Sequence, residues 1–166
     1  FIMYMIFLVE NQAEQQTEKQ GDLEIKKDLR LKLFRFLLSK YADIINDFEK
    51  KTVGEIKGLV DKDDLSVQSL VENFKNQDYD FEKDYFDSAK KAFEFVQKEM
   101  NYVKTDLALN YWLSPREIMQ EKIGDDKDIS VFLCALLSGF GDQNAEVIVA
   151  EISGGQTPAF VTTEFS

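Results

Sequence analysis

Histidine is missing from all 166 residues, and cysteine occurs once, at Cys134. Without an imidazole the chain has no base, proton shuttle or metal ligand of that kind. A single cysteine permits no internal disulfide and no thiolate-rich zinc site, and it leaves the redox compartment open. Cationic charge is scarce: 20 Lys and Arg stand against 31 Asp and Glu, a net charge of −11 and a pI near 4.5. That balance excludes a broad phosphate-backbone reader, so no nucleic-acid partner is expected. It also argues against an anionic membrane surface. Long hydrophobic runs are lacking too. FIMYMIFLV, Phe1 to Val9, is nine residues, where a helical membrane span needs about 20. Two readings of it stand side by side: a buried strand or helix start, or the end of a membrane anchor or signal segment lying upstream of residue 1. Localisation therefore stays open between extracytoplasmic, membrane-anchored and cytoplasmic.

What is present is ample for a core. The apolar fraction is 44%, with 14 Phe and 6 Tyr supplying large side chains, each able to bury much area. Glu10 to Asp22 is rich in Gln and Glu and reads as a linker or solvated helix. From Leu23 to about Leu59, Leu33, Phe34, Leu37, Leu38, Tyr41, Ile44, Ile45 and Phe48 recur at helical spacing. A break is expected near Asp61 to Asp64, a shorter helix over Leu65 to Phe74, and a loop over Asn76 to Asp80. A third helix is expected from Tyr85 to Met100, with Phe86, Ala89, Phe93, Val96 and Met100 on its buried stripe.

The second half changes character. Ser114, Pro115 and Glu117 form a helix-start signature with a capping box and a first-turn proline; Gly124 is expected to end that helix. Asp125 or Asp126 then opens an apolar helix to about Phe140, burying Ile129, Phe132, Leu133, Leu136 and Leu137, with Gly139 and Gly141 at its end. Ala145 to Ile152 reads as a strand, Ser153 to Gln156 as a turn and Ala159 to Phe165 as a second strand. The expected fold class is α+β: an apolar segment and linker over 1–22, a helical region over 23–100, and helices packed on a small antiparallel sheet over 101–166.

From Phe95 to Val161 the order of residues resembles the transglutaminase-like, papain-like cysteine peptidase superfamily. The resemblance is carried by Trp112, Pro115, Glu117, Lys122, Gly124, Asp125, Asp128, Ser130, Leu133, Leu136, Leu137, Gly141, Ala145, Val147, Ala159, Phe160 and Val161. It implies a partial core of that fold, truncated at its C-terminal side. It also puts the family's nucleophilic Cys at Asp126 and its His at Pro158, so both catalytic positions are vestigial. An aspartate at a helix start gains from the dipole and accepts backbone N–H bonds, but it is not a soft nucleophile. Pro158 offers no side-chain base.

Three functions follow as expectations. One is an inactive domain that binds or scaffolds a protein or peptide partner in a groove around Trp112, Asp126 and Phe160. The second is an active thiol peptidase or acyl transferase whose positions 126 and 158 differ from those given. The third is a helical or homo-oligomeric assembly in which the stripe from Leu33 to Phe48 faces another chain. No cofactor is expected. Asp125, Asp126 and Asp128 are weak candidates for a metal, since hard cations want several oxygens and a helix turns these side chains apart. Cys134, inside an apolar helix, reads as a small buried hydrophobe.

Overall fold

The computed structural model describes residues 26–104, 108–150 and 158–164. The expectations for Phe1–Val9, Glu10–Asp22 and the turn at Ser153–Gln156 lie outside those residues. The chain divides into two units, Phe1–Ile45 and Asn46–Ser166.

Residues 26–40, in the first unit, are helical (α1); α2, Ala42–Phe48, begins after a turn at Tyr41 and crosses the boundary, and the next helix belongs to the second unit. The single long helix expected over Leu23 to Leu59 is therefore three pieces. The third, α3 (Val53–Gly58), starts afresh because Thr52 caps it: the Thr52 hydroxyl accepts from the Glu55 N–H, and the Glu55 carboxylate accepts from the Thr52 N–H. That reciprocal box competes with helix continuation through residues 49–52.

The second unit is built round one helix. α7 (Asp126–Gly139) lies against α4 (Leu65–Phe74), α5 (Phe81–Glu99), α6 (Pro115–Glu121), β3 (Glu146–Val149) and β4 (Ala159–Thr162). Being covered on so many sides explains its nearly continuous apolar run. Val131, Phe132, Cys134, Ala135, Leu136 and Leu137 are all buried. β3 and β4 pair antiparallel with Val147 opposite Val161 and Ile148 opposite Phe160. A two-residue parallel bridge joins β1 (Asn101–Tyr102) to β2 (Ile123–Gly124). The architecture is α+β and mostly helical. A composition boundary at 100/101 falls inside this unit, since α4 and α5 pack on α7.

Two details of the second unit differ from the expectation. The buried stripe of α5 is Tyr85, Ser88, Ala92 and Val96, whereas Phe86 is 72% exposed and Phe93 49% exposed. The face with small residues wins because it allows close approach to neighbouring helices, and because Tyr85 has a buried polar partner, Asp142. Gly124 does not end α6. Lys122 does, in the left-handed region at φ 57°, while Gly124 pairs with Tyr102 in the parallel bridge.

The far end of α7 follows from two glycines. A Cβ at Gly139 would stand 2.6 Å from Val71 Cγ2 on α4, so glycine sets how closely α4 and α7 approach. Gly141 has φ 105°, a conformation glycine adopts without the Cβ penalty.

Candidate functional site

The mouth of α7 gathers the acids at 125–128. Asp125, not Asp126, is the N-cap: its Oδ1 accepts from the N–H groups of Lys127 (2.9 Å) and Asp128 (3.1 Å). Asp128 closes the box by accepting from the Asp125 N–H at 3.2 Å. Its other oxygen accepts from the Leu113 N–H at 2.8 Å. Asp128 thus ties the segment entering α6 to the start of α7. Burial pushes its carboxyl up to about 6, and the nearby Asp125 charge adds to this, against the two N–H bonds that favour the anion.

Asp126 occupies the first helical position and reaches sideways. Its Oδ2 accepts from the N–H of Ala159, at the start of β4, at 2.6 Å. Pro158 immediately precedes that donor and cannot itself give an N–H. The Pro158 carbonyl in turn accepts from the Ala150 N–H at 3.0 Å. The two positions that the resemblance would make nucleophile and base are therefore joined through backbone.

Lys127 is the site residue that no sequence pattern pointed to. Its ammonium stands 3.5 Å from Asp125 Oδ2 and 3.5 Å from the Tyr111 carbonyl. It also lies over the rings of Tyr111 (5.8 Å) and Trp112 (5.2 Å), within the range of a cation–π attraction. The available signal was a lysine two residues after the cap, together with an aromatic pair at 111–112. Burial, and then the charges of Asp125 and Asp128, push the Tyr111 hydroxyl up to about 12.

Trp112 has a second role. With Ile56, Val60, Val131, Cys134, Ala145, Val147 and Val149 it lines a largely apolar cavity of about 410 Å³, with Lys57 and Glu146 as its charged residues. Asp126 and Phe160 are not among the residues lining it. Phe160 is exposed on β4, and Asp126 is held at Ala159. Burial pushes the Cys134 thiol up to about 11, with Asp142 and Glu146 adding to the effect against a bond involving Ser138. A thiol so protonated is no nucleophile at neutral pH.

The metal reading of Asp125, Asp126 and Asp128 meets a geometric obstacle. Their oxygens accept from backbone donors in separate directions, and among the described residues no group of three or more metal-ligating side chains stands together. A second buried acid was missed from sequence. Asp142 accepts from the hydroxyls of Tyr85 and Thr163 (2.6 Å) and from the Asn144 N–H (2.9 Å). Burial alone would raise its carboxyl, but these bonds outweigh it and hold the group below the ordinary value. The same hydrogen-bonded, buried setting lifts the Tyr85 hydroxyl well above its usual range, burial being the larger cause. The aspartate-x-asparagine turn was readable, whereas Tyr85 and Thr163 lie too far off in sequence to be.

Compared with models of protein families, with curated proteins and with solved structures, the chain finds no match.

Proposed function

We propose that residues 101–166, within the second unit, form a non-catalytic binding domain of transglutaminase-like type, taking an extended peptide segment of a protein partner beside the mouth of α7. The observation that carries the reading is the Asp126 carboxylate bonded to the Ala159 N–H at 2.6 Å. It supports the alignment that sets Asp126 opposite Pro158, and it leaves the carboxylate engaged with backbone instead of poised on a substrate. No histidine exists in the chain to act as base. Binding is the remaining use of such a scaffold. The cavity beside Trp112 has an apolar lining and a volume in the range of ligand pockets, and Val149, exposed on β3, adds apolar surface on the same face, while Ile148 and Phe160 point to the other.

The test is peptide selection against the whole chain, followed by measurement on Val147→Trp, which fills the cavity from β3. The expected result is a shared peptide sequence whose affinity falls by roughly tenfold or more in the variant. Binding indifferent to Val147→Trp would contradict the reading. So would hydrolysis or acyl transfer on peptides at a rate abolished by Asp126→Ala.

A further inference from the structure

The acidic total of the chain conceals a segregation of charge. Residues 26–40 form α1 and carry six cations, Lys26, Lys27, Arg30, Lys32, Arg35 and Lys40, against one anion, Asp28. That is a surplus of five positive charges in a chain of net −11, so the other 151 residues carry −16. The same helix holds seven large apolar residues, and all are exposed: Leu29 at 59%, Phe34 at 56% and Phe36 at 61%, with Leu31, Leu33, Leu37 and Leu38 also open. At 100° per residue they span an arc of about 220°. Asp28, Lys32, Arg35 and Ser39 fill the remainder. Among the described residues no helix is long and apolar enough to cross a membrane.

We propose that α1 is an interfacial helix that lays its apolar arc into an anionic lipid surface. The width of the arc selects this occupant. A helix seated in a protein groove or a coiled-coil seam uses a narrow stripe at i, i+3, i+4 and i+7. An arc of more than half a circumference, in which Lys26, Lys27, Arg30 and Lys40 stand among the Leu and Phe, exceeds that and suits the headgroup and acyl boundary. Charge selects it again. Two copies of α1 would each bring five positive charges to a shared seam, whereas an anionic bilayer is complementary to them. The side chains of Lys26, Lys27, Arg30 and Lys40 have stems long enough to lie along the apolar arc while their charged heads stay at headgroup level. Overall acidity then works with the helix: it restricts attraction to this one basic element.

The experiment is co-sedimentation of the full chain with phosphatidylcholine vesicles, with and without phosphatidylserine. The expected result is binding to the mixed vesicles only, weakened by salt. Each cation near the surface contributes about fivefold in affinity, so Lys26→Gln, Lys27→Gln and Arg30→Gln together should weaken binding roughly 100-fold. Glutamine keeps helix propensity, and unchanged circular dichroism would confirm that α1 survives. Equal binding to neutral and mixed vesicles would overturn the proposal, pointing to an apolar segment that acts without charge. So would failure to bind either vesicle, whether the chain stays monomeric, associates with itself or engages an acidic protein through α1.

Discussion

Two helices, α7 and the described part of α1, differ in what covers them. Both are rich in Leu and Phe. α7 is buried by α4, α5, α6 and the β3–β4 hairpin, and its single cation, Lys127, is held at its mouth by Asp125 and two aromatic rings. α1 presents its apolar residues openly and carries six cations among them. Apolar content alone does not tell a core helix from a surface-seeking one. The distribution of charge does. α7 has an acid-rich start engaged with its own backbone, as a folded core element needs. The described part of α1 has six cations spread along its length against one anion, a charge load that is costly to bury.

The largest effect that sharpens this contrast is core truncation. Phe132, fully buried in α7, changed to Ala should destabilise the second unit by about 3–5 kcal/mol in urea unfolding. Phe34→Ala on α1 should stay within about 0.5 kcal/mol. Equal losses would erase the distinction. Next comes the close approach of α4 and α7. Gly139→Ala sets a methyl against Val71 and should cost about 1–3 kcal/mol, and Val71→Ala in the same chain should recover part of that loss, giving a coupling visible in a double-mutant cycle.

The acids at the mouth give a pH signature. The folded pKa of Asp128 lies near 6, above the unfolded value of about 3.9. Between those limits the folded state binds more protons, so this group makes stability fall as pH rises from about 4 to about 6, by on the order of 2 kcal/mol. Asp142 works in the other direction. Its carboxyl is lowered on folding, so its contribution is present above about pH 4 and is lost as pH falls further. Thermal unfolding of Asp128→Asn should therefore show a flatter profile between about pH 4 and 6 while keeping the loss at lower pH. A profile unchanged by the substitution would remove Asp128 as its source. The smallest effect is at Lys122, whose positive φ carries a Cβ penalty. Lys122→Gly should stabilise by up to about 1 kcal/mol in the same assay.

Much of the second unit was legible because its signals are local. The Ser114–Glu117 box with Pro115, the apolar run of α7 and the alternation in β3 each fall within a few residues. The stripe of α5 was not, because aromatic content pointed to Phe86 and Phe93, while packing chose the face with Ser88 and Ala92. The capping residue of α7 was ambiguous between two neighbouring aspartates. Only the backbone shows that Asp125 turns inward while Asp126 reaches Ala159, which is 33 residues away in sequence. Lys127 over Trp112 and the Tyr85–Asp142–Thr163 cluster are likewise contacts between distant segments. The break before α3 was readable in Thr52 and Glu55, and hidden by the hydrophobic period running across it.

The proposed function stands on the Asp126 carboxylate reaching the Ala159 N–H, which sets position 126 beside position 158, where the proposal would have a thiol and an imidazole meet. Installing Asp126→Cys with Pro158→His and following alkylation by iodoacetamide against pH tests this directly. The account predicts that the introduced thiol titrates well below the free-cysteine value of about 8.5, because the helix N-terminus and the adjacent imidazole favour the thiolate. Titration at or above that value, in a chain whose far-ultraviolet spectrum is unchanged, would contradict it.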